Sequence, residues 1–131
     1  MFISLFEVDA SNRINGINMN IYIDNNGNAN IEEVWDTYLD SGTEGYRSFS
    51  DLGNSSINSF SVFDDSGKFY NYQGSWDTSL SFDAKAYKNG INYTYDGLEL
   101  CWGISDYGNR VYTLKYNITN FVNQYTDKQG I

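Results

Sequence analysis

Histidine and proline are absent from this 131-residue chain, and cysteine occurs once. Without histidine, neither a Ser-His-Asp nor a Cys-His nucleophile arrangement can be assembled. The usual zinc sites lose their ligands for the same reason. A single cysteine, Cys101, forbids an internal disulfide, and with no imidazole to activate it we read it as a small packing residue. Such cysteine usage suits the cytosol and equally the outside of bacteria that use few disulfides. Without proline, the turns fall to glycine and asparagine. Asn15-Gly16, Asn26-Gly27, Asn89-Gly90 and Asp96-Gly97 supply the positive φ that tight hairpins need. Cations are also few: 8 Lys and Arg stand against 17 Asp and Glu, for a net charge of −9. Phosphate backbones and anionic lipid surfaces repel such a chain, which argues against nucleic-acid partners. No apolar run approaches the roughly 20 residues of a membrane span. Membrane attachment would come only through segments that this sequence does not contain.

What is present points to strands. Aromatic residues make up 18% of the chain, with 12 tyrosines, a composition that suits half-buried pleated surfaces. Large apolar side chains take every second position of Leu98-Glu-Leu-Cys-Trp-Gly-Ile104 and again from Tyr112 to Ile118. A period of two marks a strand with one buried face, and the turn at Ser105 to Asn109 suggests a hairpin. Further strands are expected at about 14–23, 28–39, 57–63, 68–72 and 91–95. Ile17, Met19, Ile21 and Ile23 share one face of the first, and Ile31, Trp35, Thr37 and Leu39 face inward on the second. Residues 45–54 read as a long irregular connection, and 80–88 as a strand followed by a helical turn around Ala84 to Tyr87. Many short strands with turn signals between them imply an all-β, antiparallel β-sandwich, Ig-like or jelly-roll-like, with little or no helix. The expected organisation is one domain over 13–127. Residues 1–12 would be a signal-peptide remnant or a flexible N-terminus, and 128–131 a tail leading into a missing segment.

Five short stretches share a wider pattern. Asn26-Gly27-Asn28-Ala29-Asn30-Ile31-Glu32-Glu33-Val34-Trp35 resembles a "DG-x-x-x-V-x-E" strand, and Gly45-Tyr46-Arg47 resembles a "G-x-Y-R" turn. Leu98 to Ile104, Tyr112-Thr-Leu-Lys-Tyr116 and Tyr125-Thr-Asp127 resemble "W-x-x-G…tYtlsY…y-x-D". All belong to a family of predicted bacterial membrane proteins, catalogued as domain of unknown function 2207. The resemblance runs from about Ile14 to Asp127, and Asn26 departs from the family's usual Asp. It implies an extracytoplasmic β-rich region of a membrane-anchored protein, with the fragment itself soluble. No catalytic residues come with it.

Glu33 is the oddest residue, because alternation turns it inward with Ile31 and Trp35. A carboxylate there must be paired, protonated or near an edge, and Arg47 offers a two-pronged partner. We therefore expect a structural Glu33–Arg47 ion pair. Asp24 to Asn28 fails the spacing of a calcium loop, since Ala29 stands where that loop needs glycine and Trp35 where it needs glutamate. Asp64-Asp65-Ser66-Gly67 reads as a turn. No metal or cofactor is expected. Adjacent Glu32 and Glu33 point to opposite faces and cannot act as a glycosidase pair, and Glu99 lacks an evident partner, so no enzyme activity is expected. Tyr70, Tyr72 and Trp76, near Asn71 and Gln73, suggest a platform for a glycan, against the plainer reading of cross-strand packing. The three Asn-x-Ser/Thr sequons at Asn54, Asn92 and Asn117 read as chance in so asparagine-rich a chain. The expected role is a non-catalytic structural or interaction domain. It would meet a protein partner or the remainder of its own ectodomain, with carbohydrate binding as the alternative.

Overall fold

The computed structural model describes residues 2–5, as backbone, and 11–122. Nine strands and one short helix follow in order: β1 (Phe2–Leu5), β2 (Arg13–Ile23), β3 (Ala29–Leu39), β4 (Glu44–Ser50), β5 (Ile57–Asp64), β6 (Asn71–Ser75), α1 (Phe82–Lys85), β7 (Lys88–Tyr93), β8 (Gly97–Gly103) and β9 (Gly108–Ile118). They form a five-stranded sheet, β1-β4-β8-β7-β6, and a four-stranded sheet, β2-β3-β9-β5. The two sheets pack as one all-β sandwich. Of the segment 1–12, residues 2–5 form β1 and pair with β4. Residues 6–10 and the C-terminal stretch from 123, with Tyr125, Asp127 and the 128–131 tail, lie outside the described residues.

The core fills from both inner faces. Leu98, Leu100, Trp102 and Ile104 from one sheet meet Tyr112, Leu114, Tyr116 and Ile118 from the other, and all eight are buried. Trp35 and Trp102 cross the interlayer edge to face, with ring centroids 5.2 Å apart. Phe49 and Tyr116 do the same at 5.5 Å. Edge-to-face contacts of this kind add to the burial of large rings, which is itself the main driving force.

The structure corrects the expected connectivity in four places. β8 and β9 are not a hairpin: β8 pairs with β4 and β7, and β9 pairs with β3 and β5. The chain crosses from one sheet to the other at residues 104–107, so the two apolar stripes face each other across the core. Residues 44–50 are a strand and not an irregular connection; Gly45, Arg47 and Phe49 are its buried positions, and a glycine and an arginine concealed the alternation. The 68–72 strand reduces to one bridge, Phe63 to Phe69, and the regular strand begins at Asn71. Finally, β6 and β7 run parallel. Residues 76–87 make the crossover this requires, and they contain α1, where the Ser81 side chain caps the helix by accepting from the Ala84 amide.

Candidate functional site

Glu33 is fully buried on the inner face of β3. Its Oε1 accepts from Trp35 Nε1 at 2.9 Å, and its Oε2 accepts from Arg47 Nε at 3.1 Å and from the Tyr116 hydroxyl. Trp35 comes from the same strand and Tyr116 from β9 beside it, whereas Arg47 reaches across from β4 in the facing sheet. The guanidinium also lies about 6 Å from the Trp35 and Phe49 rings, so aromatic faces share its charge. Burial, then the neighbouring Glu33 charge, push the Tyr116 phenol above its ordinary value. The phenol therefore keeps its proton at neutral pH and donates to Glu33. With three donors seated on it, this carboxylate ties the two sheets together and presents no face to a substrate. Three of the segments that resemble the membrane-protein family each send a side chain here: Glu33, Arg47 and Tyr116.

The aromatic trio does not form a platform. Tyr70 and Trp76 are buried, and Tyr72 alone is exposed. Tyr70 donates to Asp64 Oδ2 at 3.0 Å and packs edge to face on Tyr87. Trp76 donates to Glu44 Oε2 at 2.9 Å. Tyr70 precedes the start of β6 and turns into the core, whereas Tyr72 lies within the strand and faces solvent.

Two further polar clusters lie at the sheet ends, and of their members the sequence singled out only the Asp64 to Gly67 turn. Lys85 is buried at the end of α1, and its ammonium donates to Thr43 Oγ1, Glu44 Oε1 and the Thr78 carbonyl, which uses all three protons. Glu44 thereby links Lys85 to Trp76. At the other end, Asp64 accepts from the Ser66 hydroxyl and amide and from Tyr70, with Arg110 at 3.5 Å. Burial pulls the Asp64 carboxyl up, but the Ser66 and Tyr70 hydrogen bonds and the Arg110 charge outweigh it, and its pKa falls below the ordinary 3.8. A lowered folded-state pKa stabilises the fold above the unfolded value and is lost as pH drops through the folded one. Thermal melts from neutral to acid pH should therefore show Asp64→Asn less stable than the parent at pH 7. The gap should close below about pH 3.8. A gap that persists unchanged in acid would remove Asp64 from the acid transition.

Asp24 is committed to its turn, where Oδ1 accepts from the amides of Asn26 at 2.8 Å and Asn28 at 3.0 Å. Among the described residues, no group of three or more Cys, Asp or Glu is placed to hold a metal ion. Burial, first of all, raises the Cys101 thiol well above its ordinary value, so it stays protonated at neutral pH.

The remaining feature is the edge strand β2. It pairs with β3 on one side and, among the described residues, with no strand on the other. Ile14 and Ile17 pack partly against the core. The same face then opens to solvent, with Met19 37%, Ile21 45% and Ile23 54% exposed. No family model matches this chain, and neither a curated protein nor a solved structure matches it. Among the described residues, no helix is long and apolar enough to cross a membrane.

Proposed function

We propose that this chain is a non-catalytic interaction domain on the extracytoplasmic side of a membrane-anchored bacterial protein, and that it associates with a second copy through β2. The observation that carries this reading is the uncharged edge from Ile14 to Ile23, with its Ile and Met stripe, which no strand among the described residues covers. Sheet edges are ordinarily blunted by charge, proline or brevity. This edge strand has 11 residues and none of those devices over its central part. Its apolar stripe is also symmetric about Asn20. Antiparallel pairing of two copies centred there sets Ile17 opposite Ile23 and Met19 opposite Ile21, joining two four-stranded sheets into one. That is an isologous, closed contact, with main-chain hydrogen bonds supplying affinity and the stripe supplying register. The resemblance of the Glu33, Arg47 and Tyr116 segments to the membrane-protein family is what supports the extracytoplasmic placement.

Each copy carries a charge of −9, so the copies repel at low ionic strength. Sedimentation velocity should show a dimer whose population rises with salt. A Met19→Lys/Ile21→Lys variant should be monomeric, with an unchanged circular dichroism spectrum. A parent chain that stays monomeric up to roughly 100 μM at high salt, or a variant that still dimerises, overturns the reading.

A further inference from the structure

The outer face of the four-stranded sheet carries a second surface, on the opposite side of β2 from the Met19 and Ile21 stripe. The geometry points to a groove there that binds a short, uncharged oligosaccharide across the strands. Register places two polar rows side by side, perpendicular to the chain direction. Tyr22, Asn30, Asn117 and Asn58 are successive cross-strand neighbours from β2 to β5, and Asn20, Glu32, Lys115 and Ser61 form the adjacent row. Neighbouring strands lie about 4.8 Å apart, so each row spans roughly 14 Å. That length suits several linked rings better than one. The depression between the rows has a volume of about 400 Å³.

Its chemistry matches hydroxyl groups. Asn117 Nδ2 donates to Asn30 Oδ1 and to the Ala29 carbonyl, both at 3.1 Å, which uses its two protons and fixes both amides. Among the described residues, no protein group takes the Asn30 amide protons or donates to Asn117 Oδ1. Lys115 holds Glu32 through Oε2 at 3.5 Å, leaving the other carboxylate oxygen open. A fixed donor and two fixed acceptors within one groove suit a group that both donates and accepts, as a sugar hydroxyl does. Tyr22, 63% exposed at the β2 end, offers a ring face for an apolar sugar face to lie on.

The far wall is built by a distorted strand. β5 loses its regular register between Asn58 and Ser61, and Ser59 within it has φ +58°. The left-handed region is costly for a residue with a Cβ. Here the irregularity places Ser59 in the wall of the groove. The ligand class follows from charge. Lys115 neutralises Glu32 locally, and the chain's charge of −9 disfavours anionic polysaccharides.

The test is titration of the full chain with cellotriose, chitotriose and mannotriose, followed by amide NMR. At least one is expected to give saturable shifts centred on Tyr22, Asn30, Glu32 and Asn117, with a dissociation constant at or below about 1 mM. Tyr22→Ala should weaken that binding about tenfold or more, while Tyr22→Phe, which keeps the ring, should not. Absence of saturable shifts from all three sugars at about 10 mM, or binding that Tyr22→Ala leaves unchanged, overturns the proposal. The same titration on Met19→Lys/Ile21→Lys separates it from self-association, because those side chains face the other side of the sheet.

Discussion

Glu33→Gln is expected to lower the unfolding free energy by about 3–5 kcal/mol. In urea this would appear as a fall in the unfolding midpoint at unchanged slope. The substitution keeps the size of the side chain, so little packing is lost, but its single oxygen can serve either Trp35 or the Tyr116 side, and its NH2 then faces a donor on the other. What it removes is the charge opposite Arg47, whose side chain is 5% exposed and has Glu33 as its ion-pair partner. An uncompensated buried guanidinium is the costly species, because taking it out of water is no longer offset. Whole domains are stable by only about 5–15 kcal/mol, so this change alone approaches unfolding. The double variant Glu33→Gln/Arg47→Met distinguishes this cause from a packing defect. With the stranded charge gone, it should recover much of the loss, giving a large coupling between the two sites. A loss under about 1 kcal/mol for Glu33→Gln would mean that water reaches the pair and that it does not clamp the sheets.

That pair was legible because two simple rules met on it. Alternation along β3 turned Glu33 inward, and burial of a carboxylate demanded a cation. The other two donors, Trp35 and Tyr116, were visible only as apolar stripe members, since their polar tips carry no pattern of their own. Alternation also identified the buried faces of β8 and β9 correctly, yet it misassigned their pairing. A period of two records which side of a strand is dry, and two strands facing each other from opposite sheets give the same record as two arms of a hairpin. Residues 44–50 escaped notice because their buried positions include Gly45 and Arg47. The glycan platform failed because Tyr70 lies before β6 and turns into the core. Lys85 was illegible in principle: its burial depends on Thr43, Glu44 and Thr78, which are brought to it only by the packing of α1 on the end of β8. The β2 stripe read as strand, but its exposure is a property of sheet order, which the sequence pattern does not encode.

Gly103→Ala should be still more disruptive, although it adds a single methyl group. A Cβ at Gly103 would lie 1.9 Å from the Lys85 carbonyl oxygen and 2.5 Å from its carbon. Both are backbone atoms, so no side-chain rotation relieves the clash, and the segment carrying α1 must move away from β8. Overpacking that side chains can absorb costs about 1–3 kcal/mol; a backbone clash at this distance exceeds that range. The displacement also draws the Lys85 ammonium from Glu44, whose other oxygen holds Trp76, so a buried cation loses its partner as well. Gly97→Ala should behave alike, with its Cβ 1.8 Å from the Phe49 carbonyl oxygen. Gly16→Ala is the control: it lies in the irregular part of β2, nothing stands within 4 Å of its Cβ, and its effect should be under about 0.5 kcal/mol. Thermal melts of the three variants, with hydrogen exchange at residues 82–88, would read both the size of the loss and its place. Near-parental stability in Gly103→Ala would show that α1 rests loosely on β8 and that Lys85 is not held where the buried network requires it.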